Sequence, residues 1–500
     1  MSVSNHARVS GSMLPLPLTL STPQCLLHWL DRTPDAIAVI EQDHPYSYGD
    51  LSVSVVQYVQ ALRARSATQG TLIGIACENR YLHLILLLAA EIVGATAVSF
   101  SKVDVLSNDP ILARCGLLCL EDGSTMTLPV PVMSVGQEAI DRIARTPVSR
   151  TDFALLDCCP PDEAVVILTR TSGSTGRPKV LPMTQGLLRD LTQKTERFPD
   201  DPGHAWNFLN LYGFTLRSAY NESTIALRAG CTVVSSQLWS LVSDMGRFEA
   251  FRTTMVSGDA VRFIDMLPED WHTPRTGIVN IKGGPLPPSV RRVLRQRVAS
   301  HVFHTYGAIE VQRIAFIDEA GIGHLTPDAS VRIMTDDGRE AAPGEVGTVE
   351  VRTGMMVQRY LWDEEASRTA FRDGWYRTND LGTVPEPGKL VVLGRADDVV
   401  NIGGIKLAPQ MLEQRIRDLD GIEDAVLLTV PVPDAQDALY LVLQSPDAAA
   451  FGRNQEAILA ILSGSVRVFV PRVMETLPRT DTGKVRREPL RRLLAGSGAA

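Results

Sequence analysis

Apolar positions along this chain alternate between a helical and an extended period. Residues 25–65 read as helix, short strand and helix (CLLHWLDRTP, AIAVIEQDHPYSYGD, LSVSVVQYVQALRAR), with Asp50 placed to cap the second helix. Residues 71–76 read as a buried strand, an apolar helix opens at Leu82, and residues 95–100 form the next strand. The window Leu82 to Phe100 invites a membrane-span reading. Glu91 and Gly94 interrupt it, however, and it lacks about twenty clean apolar residues, so a buried helix followed by a strand is expected. Short strands follow at 116–120 and 130–132, and then the apolar run 164–168. Beyond come a helix at 185–195, a helix-Gly-strand step ending at 227–234, strands at 255–257 and 277–282, a basic helix at 289–300 and a strand at 302–303. This alternation predicts an α/β fold with mostly parallel sheets and flanking helices.

From 330 to 395 the pattern becomes short runs separated by Asp-Gly and Pro-Gly turns, which predicts an all-β, barrel-like or sandwich subdomain. A boundary is expected at Gly394–Asp398. Residues 1–394 would make the large domain and 395–500 a small α+β domain, opening with a helix at 409–419 and strands at 425–430 and 439–444.

Composition narrows the function class. Five hundred residues with 44% hydrophobic content can bury more than one core, and a net charge of −8 gives no basic field for nucleic acid. Seven scattered cysteines show neither zinc spacing nor a disulfide framework, which favours a reducing cytoplasm. Cys115 and Cys119, four apart, read as buried free thiols. The N-terminal stretch, whose apolar patch is broken by two prolines, does not read as a signal peptide, and no membrane association is expected.

The chemistry concentrates at Leu168 to Pro182. Thr171, Ser172, Gly173, Ser174, Thr175, Gly176 and Lys179 put four hydroxyls, two glycines and a lysine within nine residues directly after an apolar run. Glycines let backbone N–H groups approach an anion, hydroxyls donate further, and lysine brings mobile charge. A solvated strand-to-helix turn is the plainer alternative. The residue order differs from a Walker A loop, since Lys179 is not followed by Ser or Thr. The string resembles the phosphate loop of the acyl-adenylate-forming superfamily, which includes acyl-CoA synthetases, nonribosomal peptide synthetase adenylation domains and luciferases.

That resemblance extends over roughly residues 25–490 and implies roles for further residues. Tyr306-Gly-Ala-Ile-Glu310 matches the segment whose tyrosine stacks on adenine and whose glutamate holds Mg²⁺. Gly283-Gly284-Pro285 matches the turn lying along the adenine. Asp380, in Tyr-Arg-Thr-Asn-Asp-Leu, would accept from the ribose hydroxyls of ATP, and Arg395 would reach the ribose or the phosphates. Lys484 would bridge the attacking carboxylate and the α-phosphate. Asp397 sits at the hinge about which the small domain would turn, and residues 401–409 resemble the loop that meets a pantetheine arm. Two departures stand out: Ile309 replaces the threonine usual before the Mg²⁺ glutamate, and Asn379 replaces the glycine before Asp380.

The resemblance implies ATP-dependent activation of a small carboxylic acid to an acyl-adenylate. Transfer to the thiol of CoA, or to the phosphopantetheine of a separate carrier protein, would follow. Amine transfer and a nucleotide-binding regulator are the alternatives. Two residues bear on the acid. Arg217 falls where amino-acid activators carry an aspartate and would suit a second carboxylate or other anion. Asn210 lies where aryl-acid activators carry an asparagine. Both readings stay open.

Overall fold

The apolar window at 82–100 resolves into helix Arg80–Ile92 and strand Thr96–Ser99. Asn79 caps the helix, its side chain accepting from the Leu82 N–H at 2.9 Å, and every residue from Tyr81 to Ile92 is buried. Glu91 is therefore enclosed, and its desolvation raises the carboxyl pKa to about 7 against the opposing influence of Arg228 and Gln185. No helix among the described residues is long and apolar enough to cross a membrane. The computed structural model describes residues 20–121, 128–171, 179–195, 206–272, 276–396, 400–402, 405–407, 409–430, 438–462, 469–479 and 485–496.

The chain divides into two units, Met1–Thr253 with Tyr360–Trp362, and Thr254–Arg359 with Asp363–Ala500. In the first, strands Leu72–Ala76, Thr96–Ser99, Leu117–Leu120, Val132–Ser134 and Val165–Arg170 run parallel, and Val180–Thr184 returns antiparallel beside the last. A second set brings Ile37–Glu41, Thr232–Ser235, Asn207–Asn210 and Ala250–Val256 into parallel register. The carboxyl ends of parallel strands are where α/β folds place ligands. Glu41 and Asn210 both pair with Ser235 in that terminal row.

In the second unit, Thr276–Lys282 pairs parallel with His301–Ala308, which pairs antiparallel with Gln312–Ile317. Antiparallel strands continue through Gly323–Leu325, Lys389–Arg395, Trp375–Thr383, Gly347–Arg352 and Ser330–Met334. Near the C-terminus, strands Asp424–Val430, Ala438–Gln444 and Val470–Met474 form a sheet covered on both faces. Ala425, Leu427, Leu439, Leu441 and Leu443 pack with Leu412, Ile416, Ile458 and Leu462. The alternate residues Val426, Leu428, Val430 and Val442 pack with Leu490 and Leu494. Burial on both faces explains the nearly unbroken apolar run in the sequence.

Several local expectations need correction. Asp50 is not the N-cap: Ser47 caps helix Tyr48–Arg63, and Asp50 answers from the third position as the other half of a capping box. The 330–395 region is not all-β, because helix Glu364–Ala370 interrupts it, capped by Asp363. The strand expected at 255–257 is the end of Ala250–Val256, and Ser257 begins the next helix. The basic helix is split into Pro288–Val293 and a wider π turn, Leu294–Val298. All seven cysteines are free thiols, and burial pushes Cys115 and Cys119 up to about 12.

Candidate functional site

Strand Val165–Arg170 delivers the phosphate-loop sequence. Its neck is closed by a hydrogen bond from the Thr171 N–H to the Lys179 carbonyl at 2.9 Å and another from the Lys179 N–H to Thr171 Oγ1 at 3.3 Å. The Lys179 ammonium lies 4.8 Å from the centre of the Tyr360 ring, a cation–π contact. Ser172, Gly173, Ser174, Thr175 and Gly176 lie outside the described residues, as do Asp397 and Lys484.

Arg170, just before this neck, did not stand out in the sequence. Its guanidinium donates to Asp109 at 2.8 Å, to Asp104 at 2.6 Å and to the Ser99 carbonyl at 3.1 Å, and it stacks over Phe100. Burial works against the Asp104 charge, but hydrogen bonds from Arg170 and Ser101 hold its carboxyl below the usual value. A charged residue ending a buried strand was the signal available. The strand's end at Arg170 is thereby tied to the segment after Thr96–Ser99, where Asp104 lies on the short helix Lys102–Leu106.

In the second unit three motif residues meet. Tyr306 Oη donates to Asp380 Oδ2 at 2.5 Å, and Arg395 Nη1 lies 3.5 Å from Asp380 Oδ1. Asp380 and Arg395 are register partners on adjacent strands. Burial, then the Asp380 charge, raises the Tyr306 pKa well above its ordinary value, so the phenol stays a donor. The strand bulges between Tyr306 and Gly307, and a Cβ at Gly307 would sit 2.3 Å from the Gln312 carbonyl oxygen. Only glycine fits that approach.

Glu310 is buried, and its carbonyl accepts from the Val357 N–H at 2.8 Å. Gly283 adopts φ +78, the left-handed backbone its motif needs. The Gly284 carbonyl accepts from His304 Nε2 at 2.8 Å, while His304 Nδ1 faces Arg291 Nη2 at 3.3 Å. These partners assign the Nε2–H tautomer, and burial lowers the histidine's pKa, keeping it neutral. The Pro285 carbonyl accepts from the Ser257 hydroxyl. His304 and Ser257 support this turn from positions that no motif marks.

Asn210 and Arg217 flank one connection: Asn210 ends strand Asn207–Asn210, and Arg217 opens helix Arg217–Arg228. Both are buried, at 2% and 6% exposure. Asn210 Oδ1 accepts from the Tyr212 N–H at 3.3 Å, but its buried Nδ2 has no hydrogen-bond partner among the described residues. A buried amide donor left this way costs about 1–3 kcal/mol unless a water or ligand oxygen meets it. Arg217 is the first residue of its helix, whose N-terminal N–H groups favour an anion.

Residues 129–361 match the family model described as AMP-binding enzyme. The chain is 24% identical to an indoleacetate–CoA ligase from Aromatoleum aromaticum, over 94% of this chain and 98% of that protein. It is 25% identical to a feruloyl-CoA synthase from an Amycolatopsis species, over 92% and 96%. Among solved structures, ATP-bound MatB from Rhodopseudomonas palustris superposes with a TM-score of 0.77 at 20% identity, over 95% of this chain and 99% of that one. The amide bond synthetase McbA from Marinactinospora thermotolerans gives a TM-score of 0.78 at 20% identity and the same coverage. Residues 129–361 thus carry the AMP-binding enzyme match, and over most of its length this chain is similar to CoA ligases.

Proposed function

We propose that the protein activates a small carboxylic acid with MgATP, forming an acyl-adenylate and pyrophosphate, and then passes the acyl group to a thiol. The observation that carries this reading is the Tyr306–Asp380–Arg395 constellation, because it joins three separated motif residues in one polar site. In this reading Tyr306 lies against the adenine, and Asp380 takes the ribose hydroxyls. Arg395, Lys179 and the hydroxyl-rich loop 171–176 bear the phosphate charge, and the Gly283–Pro285 turn lines the base.

Mg²⁺ would be held by Glu310 together with the phosphates, and its charge would offset theirs. No cluster of three or more acidic, histidine or cysteine side chains among the described residues could hold a metal unaided. That fits Mg²⁺, which commonly binds through one or two carboxylates plus substrate phosphates.

The chemistry asks little proton transfer of the protein. The acid's carboxylate oxygen attacks the α-phosphorus, the bond to the β-phosphate bridging oxygen breaks, and pyrophosphate leaves with that electron pair. The nucleophile is already anionic, so orientation and charge neutralisation carry the step. Lys484, on a small lobe of residues 395–500 hinged at Asp397, would bridge the two reacting anions. The large domain, residues 1–394, would hold the nucleotide and the acid. The thiolate of CoA or of carrier-protein phosphopantetheine would then displace AMP. Buried Arg217 supports an acid with a second anionic group, and the Asn210 amide donor supports an aryl acid bearing an acceptor.

The likeness to an amide bond synthetase supports a second reading, in which an amine takes the acyl group. Pyrophosphate release should be measured with MgATP against aryl, fatty, dicarboxylic and amino acids, with Lys484→Ala as control. Release with one class, lost in the variant, supports adenylation. Silence across the panel, despite ATP binding, counts against it. Product analysis with CoA, a carrier protein or an amine then separates the two acceptors.

A further inference from the structure

The first turn of helix Arg80–Ile92 reaches the connection that carries Asn210 and Arg217. Arg80 Nη1 donates to the Asn210 carbonyl at 2.9 Å and to the Ser236 carbonyl at 2.9 Å, and Nη2 donates to the Leu211 carbonyl at 3.2 Å. These acceptors lie where two adjacent parallel strands leave their ladder. At the exit of a third strand, Glu41 Oε1 accepts from the Arg80 backbone N–H at 3.2 Å. One turn along, the His83 ring is held by the Cys77 carbonyl at 3.1 Å and the Ser99 hydroxyl at 2.9 Å. That ring packs on Phe214 with centroids 5.4 Å apart.

The Asn210 carbonyl keeps one backbone donor, the Ser236 N–H at 3.0 Å, and a carbonyl at a strand exit left buried and unmet is costly. A planar guanidinium can serve three of them at once, whereas a lysine ammonium is a point charge that cannot span them. The helix behind Arg80 is enclosed along its length, so its first turn is a rigid reference for whatever it holds. The segment so held is the one whose ends bear both candidate acid-binding side chains.

We propose that Arg80 is a positioning residue for acid selection: with His83 it sets the backbone of residues 210–214, and thereby the places of Asn210 and Arg217. The proposal rests on the reading that this connection borders the acid pocket. It assigns Arg80 no part in nucleotide binding.

The test uses the full chain. Arg80→Lys keeps the charge beside Glu41 but cannot span the three carbonyls, and Arg80→Met removes both. With the acid selected by the pyrophosphate panel, Arg80→Lys should raise KM for the acid about tenfold and leave KM for ATP within about twofold, with Arg80→Met more severe. A parallel rise in both KM values, or a fall in kcat alone, would overturn the proposal.

Hydrogen exchange supplies a readout that needs no acid and no Arg80→Met protein. Faster exchange at residues 210–214 in Arg80→Lys, with 276–282 unchanged, supports the brace, and unchanged protection at 210–214 overturns it. If the panel finds no acid, the functional reading fails while the exchange result still decides the role of Arg80.

Discussion

Glu91 makes this fold sensitive to pH. Its carboxyl is 2% exposed on a helix buried along its length, and desolvation lifts its pKa from 4.5 to about 7. In the unfolded chain the group ionises near its ordinary value. Between about pH 4.5 and 7 the folded state therefore binds more protons than the unfolded state, and stability falls as pH rises. Each pH unit of difference corresponds to ~1.4 kcal/mol, so by pH 8 the native state carries a penalty of about 3 kcal/mol from this one group. Glu91→Gln keeps the shape and removes the charge. Thermal unfolding followed from pH 5 to 8 should show the wild type losing stability across that range, the variant's curve flatter, and the two closest at pH 5. The variant should exceed the wild type at pH 8 by up to about 3 kcal/mol. A variant equal to or weaker than the wild type at pH 8 would refute the reasoning, and would mean that the interaction with Arg228 outweighs the cost of burying the charge.

Three further substitutions probe the site. Tyr306→Phe deletes the donor to Asp380, and a hydrogen bond to a charged acceptor is worth about 1.5–3 kcal/mol. We expect KM for ATP to rise about tenfold with KM for the acid unchanged, and an unaltered ATP response would count against the constellation. Gly307→Ala forces a Cβ against the Gln312 carbonyl oxygen at 2.3 Å, so thermal unfolding should show a loss of about 1–3 kcal/mol. A stable variant with normal ATP binding would show that the bulge yields. Arg170→Gln strips Asp104 and Asp109 of their cation and should lower stability by about 3 kcal/mol. Titration with ATP should also show weaker binding, and normal affinity would mean that the neck of the loop holds without the clamp.

Much of this was legible in the sequence because chain order carried it. The strand Val165–Arg170 and the step at Leu227–Val234 use local signals, an apolar run and glycine after a helix, and these survive into the fold. The unbroken apolar strand Asp424–Val430 was readable for the same reason, being covered on both faces. Helix Glu364–Ala370 was missed because it lies inside a run of turn-punctuated strands and its cap, Asp363, reads equally well as a turn residue. Asp50 was misplaced because both partners of a capping box are good caps, and only the backbone shows which one precedes the helix. Arg170, His304 and Arg80 escaped for a different reason. Their partners are backbone carbonyls or distant carboxylates, and a carbonyl leaves no trace in a sequence.

The Arg80 fork also has a consequence for the order of events during synthesis. Its three carbonyl partners lie 130, 131 and 156 residues further along the chain. Until residues 210–211 have been made the guanidinium has none of these partners and stays hydrated, and its third partner, the Ser236 carbonyl, follows strand Thr232–Ser235. Contacts of such separation close large loops and come late in folding. A nascent chain shorter than about 211 residues can therefore build helix Arg80–Ile92 but cannot tie the connection after Asn207–Asn210 onto it, and the fork is complete only once Ser236 has been made. The segment bearing Asn210 would then be among the last parts of its unit to acquire a fixed shape, well after the helix that braces it.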